Sequence, residues 1–264
     1  MLPGSTVDVA AWANSHDLMG RLERERVVVI PDFLPPEVAE STLRYLEAQE
    51  DALGWHRFER GGFHQRDLDS LPALFGLRRL LRAAGAGLPA MFAVGRYGRG
   101  HHLPPHNDKA FIDIDTGSGR PETYSRAYAG ILYLTRDWRE EDGGLFVDIE
   151  TGDAVKKGAL VICTNTSIII LLLLSLTLSP IPSLILILGV KNETGNTVVP
   201  AFNKLVAFKV PLWHEVTPVE SSRPRYSVFG WWLRPGRRYA FPAEPVRLAF
   251  KAPRSWWSTG PADD

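Results

Sequence analysis

From residue 91 to residue 233 the chain runs in short stretches of β-branched, aromatic and aliphatic residues, each closed by a turn signal. This rhythm restricts the fold more than any other feature. Residues 91–97, 111–114, 127–134, 145–149, 205–210 and 226–233 each predict a strand. The loop 115–122 (DTGSGRPE) and the tight turn Asp142-Gly143-Gly144 punctuate them. Several short strands spaced in this way predict a β-sandwich or jelly roll.

The first 90 residues predict helices that support this β core. A helix over 7–24 is followed by a compact β-branched strand at 27–30, ended by Pro31-Asp32. Pro35-Pro36 opens a second helix, since proline is tolerated in a first turn. Val38, Leu43 and Leu46 give that helix an apolar stripe as far as Gln49. Residues 55–63 predict strand and turn. Residues 74–84 predict a helix with Leu74, Leu77, Leu80 and Leu81 on one side and Arg78, Arg79 and Arg82 on a solvated face. We expect one domain over 1–264: helical support at 1–90, the β core at 91–234 and an irregular covering tail over 234–264.

The chain's 264 residues are 45% hydrophobic, enough for a sizeable core. Lys plus Arg equals Asp plus Glu at 30 each, so net charge indicates neither nucleic acid nor a membrane surface as partner. The single cysteine, Cys163, excludes an internal disulfide framework and fits a reducing compartment. The N-terminal residues lack a basic stretch followed by an apolar one, so no signal peptide is read there. A cytoplasmic location is the expectation.

The stretch YGRGHHLPPHND (97–108) carries the chemistry. His106 and Asp108 lie two residues apart, and on a strand such residues share a face, so both can reach one metal ion. Two His and one carboxylate with open positions make the ligand set of non-haem Fe(II) oxygenases. The third ligand must then be His214, the one histidine downstream. A His-x-Asp pair alone is a weak signal, and a surface turn is the plain alternative. The run RYSVFGWW after His214 adds to it, because Arg225 and Ser227 alternate onto one strand face. A guanidinium there can grip a carboxylate in a bidentate fork, with a hydroxyl beside it. A surface salt bridge and an ordinary strand serine are the alternatives. Trp231 and Trp232 face opposite ways, one to the core and one to the site mouth. His101 and His102 read as solvated loop residues.

Tyr97, His106-x-Asp108, the run YAGILYLTRDWREEDGGLFV (128–147), then His214 and Arg225-x-Ser227 with GWW form an ordered set. In that order they resemble the prolyl-4-hydroxylase-like 2-oxoglutarate/Fe(II) dioxygenases over residues 25–154 and 199–234. The resemblance implies a mainly β fold with flanking helices and a double-stranded β-helix (jelly-roll) core. It implies Fe(II), 2-oxoglutarate as co-substrate, and ascorbate as an optional addition. His106, Asp108 and His214 would hold the metal, and Arg225 the distal carboxylate of 2-oxoglutarate. Ser227, Tyr97 and Tyr133 would be helpers, although tyrosines on barrel strands are often simply core. The reaction implied is hydroxylation of an unactivated C–H bond in a prolyl residue or a small molecule. A non-catalytic jelly-roll metal binder and a protein held to a membrane by 167–189 are the alternatives.

Residues 155–198 break the pattern. Gly158 to Val190 contains no charged residue, and Ser167 to Leu188 is almost wholly Ile, Leu and Ser around Pro180-Ile181-Pro182. The length suits a membrane span. A single span would, however, separate His106 and Asp108 from His214 across the bilayer. A buried hairpin is a second reading. An insertion between two barrel strands, of an origin different from its flanks, is the reading we favour. Without it, TGDA joins VPAFNKLVAF as loop and then strand.

Overall fold

A computed structural model describes residues 7–115, 120–150 and 197–240. Of the apolar stretch, only Thr197 and Val198 fall among them. Most of the covering tail and residues 116–119 of the turn-rich loop lie outside.

Asp8 opens the first helix, where its carboxylate accepts from the N–H groups of Ala10 and Ala11 at 3.1 and 3.0 Å. Those are donors that a helix start leaves unpaired. The single helix expected over 7–24 is two, α1 (Val9–His16) and α2 (Leu18–Arg24), because Asp17 between them sits at φ 42°. β1 (Val27–Ile30) and α3 (Pro36–Ala48) follow where expected, with Ala39, Leu43 and Leu46 of α3 buried. β2 (His56–Arg57) and β3 (His64–Asp67) form a hairpin. α4 (Phe75–Ala84) buries Leu77, Leu80, Leu81 and Ala84. Its arginines are not all free in solvent: Asp69 accepts from Arg78 at 2.9 Å and faces Arg82 at 3.6 Å.

The β core contains β4 (Ala90–Tyr97), β5 (Leu103–His106), β6 (Phe111–Ile114), β7 (Glu122–Tyr133) and β8 (Phe146–Asp148). It is completed by β9 (Thr197–Val198), β10 (Lys204–Lys209), β11 (His214–Val216) and β12 (Arg225–Pro235). One sheet runs β1-β10-β7-β12-β4-β3-β2, with β6 beside β7, and the other runs β5-β11-β8-β9. Every pairing is antiparallel. The protein is mainly β, with a jelly-roll core and flanking helices. The first 90 residues do more than support it, since β1, β2 and β3 are strands of the larger sheet.

Side-chain alternation on the long strands divides the interior. On the outer face, Tyr128 and Leu132 of β7 and Val228 and Trp232 of β12 pack with α2, α3 and α4. Trp232 is wholly buried, and its indole N–H donates to the Leu81 carbonyl at 2.9 Å. On the inner face, Ala129 and Tyr133 pack with Phe146, Val206 and Phe208, and Trp231 borders that cluster. The two tryptophans thus take the opposite sides that their spacing predicts.

β8 and β9 are adjacent antiparallel strands, with Phe146 opposite Val198 and Val147 opposite Thr197. The intervening chain therefore leaves and rejoins the sheet at one place, where a hairpin ordinarily needs about 2–5 residues.

Asn203 ties the core to the segment before α3. Its side chain accepts from Leu34 N at 2.9 Å and donates to Leu34 O at 2.8 Å, at a backbone φ of 56°. Asn203→Ala should cost about 3 kcal/mol in urea unfolding, from two buried groups left unpaired and from left-handed backbone that alanine tolerates less well than asparagine. Asn203→Gly should recover only the backbone share.

Candidate active site

The pairing of β5 with β11 sets His106 directly opposite His214, with ring centroids 4.1 Å apart. Each ring is held in the same way: His106 Nδ1 lies 2.9 Å from Pro104 O, and His214 Nδ1 lies 2.8 Å from Leu212 O. A carbonyl only accepts, so both Nδ1 atoms carry the proton and both Nε2 atoms present a lone pair. The rings of Phe208 and Phe146, centred 4.6 and 5.4 Å from that of His214, wall the second imidazole. Burial, the largest influence, lowers the pKa of His214, which favours the neutral form that a metal requires.

Asp108 completes the group by a route the strand argument does not anticipate. β5 ends at His106, and Asp108 lies beyond it at φ 60°. A turn, not strand alternation, brings its carboxylate back. Oδ1 lies 3.5 Å from His106 Nε2 and Oδ2 lies 3.7 Å from His214 Nε2. Burial would raise the pKa of Asp108, but His106, His214 and Arg126 outweigh it and hold the carboxyl well below its usual range. The three ligand atoms lie within 4.8 Å of one another, the single such metal-capable group among the described residues. Ligands bonded to one ion at about 2 Å and at right angles are about 3 Å apart, so the group can close on an ion with small inward shifts.

The second half of the site surrounds Arg225, which is 1% exposed. It pairs in register with Tyr97 of β4, and its guanidinium carbon lies 4.2 Å from the Tyr97 ring centre and 5.4 Å from that of Tyr133. One amino group donates to the Gly144 carbonyl. Its Nε is buried without a partner, as is the Tyr133 hydroxyl. No acidic side chain among the described residues pairs with this cation. Ser227, also 1% exposed, lies opposite Tyr133 and Gly95 on the flanking strands. Burial pushes the Tyr133 hydroxyl up to about 12 and raises Tyr97 further, with Arg225 opposing in both cases, so both stay protonated and able to donate. A wholly buried guanidinium and an unpaired hydroxyl side by side suit a carboxylate guest, which supplies the missing charge and acceptors. The two halves share one interior, since Phe146 packs with Tyr133 and also borders His214.

The sequence reading named all seven of these residues. It missed three contributors. Gly144 supplies the carbonyl under Arg225 at φ 63°, from a segment read only as a turn. Arg126 lies 3.4 Å over the Trp231 ring with its Nε unpartnered, close enough to Asp108 for their charges to attract. Arg26 grips Asp148 through two hydrogen bonds of 2.7 and 3.0 Å, and Asp148 is the strand partner of His214. No local motif marks these, because each works through a residue distant in sequence. His101 and His102 stay outside the metal group. His101 Nδ1 accepts from Gly98 N at 3.0 Å, and His102 Nδ1 lies 3.1 Å from Gly100 O.

A family profile described as the 2OG-Fe(II) oxygenase superfamily matches residues 92–233, from within β4 to within β12. The chain belongs to this superfamily and is a 2-oxoglutarate- and Fe(II)-dependent dioxygenase. Among solved structures it is similar to a Pseudomonas putida prolyl-4-hydroxylase, at 19% identity and a TM-score of 0.51, over 86% of this chain and 100% of that one. It is also similar to a Trichoplax adhaerens prolyl hydroxylase in complex with a hypoxia inducible factor oxygen degradation domain peptide. There the identity is 14% and the TM-score 0.51, over 87% of this chain and 94% of the other. These likenesses extend the jelly-roll assignment to most of the chain. No curated protein sequence matches.

Gly144 offers a test of the pocket that leaves every named side chain in place. A Cβ there would lie 3.1 Å from Arg225 Nη1 and 3.0 Å from Val219 Cγ2, on backbone that disfavours it. Gly144→Ala should weaken 2-oxoglutarate binding about tenfold in calorimetric titration, with metal affinity unchanged.

Proposed function

We propose that His106, Asp108 and His214 hold Fe(II), and that Arg225 anchors the distal carboxylate of 2-oxoglutarate with help from Tyr133, Tyr97 and Ser227. The observation that carries the reading is the buried, acid-free guanidinium of Arg225 beside the unpaired Tyr133 hydroxyl. An uncompensated buried charge costs several kcal/mol, and a bound carboxylate removes that cost. When bound, Fe(II) and 2-oxoglutarate supply the oxidising chemistry: one atom of dioxygen enters a C–H bond as hydroxyl, and the other leaves in succinate as carbon dioxide departs. The chain's own residues orient and shield. Pro104 O and Leu212 O keep the imidazole lone pairs directed at one point, Asp108 contributes negative charge, and Phe146 and Phe208 keep water from His214.

For the primary substrate we put forward a prolyl residue in a peptide. Arg126 and Trp231 support this, because a guanidinium Nε free to donate and an indole edge suit a carbonyl beside an apolar ring. Both solved structures described above carry prolyl hydroxylase names. A small molecule presenting the same pair of groups is the second reading. A cytoplasmic location is proposed on the single cysteine. No helix among the described residues is long and apolar enough to cross a membrane.

We further propose one oxygenase domain over 1–264 with an insertion at 155–198, of which Thr197 and Val198 form β9. Composition supports it, as does the common point at which the chain leaves and rejoins the sheet.

Anaerobic addition of Fe(II) and then 2-oxoglutarate should produce a visible metal-to-ligand charge-transfer band. Arg225→Ala should require at least a hundredfold more 2-oxoglutarate for that band, and His214→Ala should lose it. Absence of the band from the wild-type chain, and from a chain lacking 155–196, would sink the site assignment. A band present only in the shortened chain would mean that the insertion blocks assembly.

A further inference from the structure

The loop that carries Asp108 has little internal support. Between β5 and β6, residues 107–110 form no regular structure, and Asp108 itself is at φ 60°. A local side-chain bond, from Lys109 N to Asn107 Oδ1, is long at 3.3 Å. The support comes from far along the chain. The Tyr239 hydroxyl accepts from Ala110 N at 2.6 Å and donates to Ala110 O, so a single oxygen clasps both backbone groups two residues after Asp108. The Tyr239 ring stacks on Phe111, with centroids 5.1 Å apart and planes within 10°, and the Lys109 ammonium lies 6.0 Å above it. Ala110 O also accepts from Arg126 N at 3.2 Å.

Tyr239 is itself held in place. Beyond β12, Gly236 N donates to Thr123 O at 2.8 Å, and the hydroxyl of the wholly buried Ser125 donates to Gly236 O at 2.6 Å. The same hydroxyl accepts from Arg238 N at 3.0 Å. The chain after β12 is thus latched to β7 by Ser125 and delivers Tyr239 to the Asp108 loop.

We propose that Tyr239 is a positioning residue for Asp108: through Ala110 it fixes the loop conformation that aims the carboxylate at the metal, with Ser125 as its latch. The proposal rests on the assignment of Asp108 as an Fe(II) ligand. Both histidines sit on paired strands, so the carboxylate is the ligand whose position depends on the segment after β12. An ion held by three protein groups loses affinity when one of them is released, and loss of an outer-shell partner commonly costs about 10–100-fold.

The test is anaerobic Fe(II) titration at saturating 2-oxoglutarate, followed by the charge-transfer band, with Co(II) absorption as an independent readout. Tyr239→Phe keeps the ring stack and removes the clasp. It should weaken Fe(II) about tenfold, while excess Fe(II) restores the full band. Ser125→Ala should weaken it about fivefold. Tyr128→Phe is the comparison, since it removes a hydroxyl bonded to Glu23 at 2.6 Å on the outer face. It should lower the melting temperature without changing Fe(II) affinity. Wild-type affinity in Tyr239→Phe would overturn the proposal, as would an equal loss in Tyr128→Phe, which would mark a general effect of stability. Should Tyr239→Phe fail to fold, Ser125→Ala decides: weakened binding supports the proposal and unchanged binding overturns it. A wild-type chain with no band, shortened or full-length, instead overturns the metal-site reading beneath it.

Discussion

The register between β5 and β11 is the constraint on which the site depends. It places His106 across from His214, and it does so in the smaller sheet, whose strands are only two to four residues long. Strands this short contribute little pairing energy of their own. They are held from outside by the Arg26 clamp on Asp148, by Phe146 and Phe208 packed within the barrel, and by the carbonyls of Pro104 and Leu212 that fix each ring. A one-residue slip in this pairing would turn one imidazole to the opposite face.

Charge accounts for much of the remaining architecture. The interior holds a carboxylate, Asp108, and two guanidinium groups, Arg126 and Arg225, and none of the three is spent in an ordinary ion pair. Asp108 faces two imidazoles, Arg126 stacks on an indole, and Arg225 lies between two tyrosine rings. Aromatic faces let cations remain buried without neutralising them. The charges therefore stay available to a charged or polar guest. A purely structural core would satisfy such groups internally or replace them with apolar side chains.

Much of this was legible beforehand, though for reasons that differ from residue to residue. Strand alternation correctly put Arg225 and Ser227 on one face and split Trp231 from Trp232, because a period of two is a local property of backbone. The same rule singled out Asp108 on a strand geometry that it does not have, since its carboxylate approaches the two imidazoles through left-handed backbone beyond the strand end. The helix expected over 7–24 is broken at Asp17, a position that nothing in the apolar pattern marks. The short strands β5, β9 and β11 leave no such mark, because two to four residues carry too little periodicity. Gly144, Arg126 and Tyr239 escaped notice because their partners lie far away in sequence.

The sequence by itself determined the class of fold, the family and seven candidate site residues, because residue type, order and alternation are written along the chain. Only the tertiary structure decided the tautomer of each histidine, the partner that Arg225 lacks and the clasp of Tyr239 on Ala110. Each of these is a relation between atoms brought together by the pairing of distant strands, and hydrogen-bond direction and burial exist only once those strands have met.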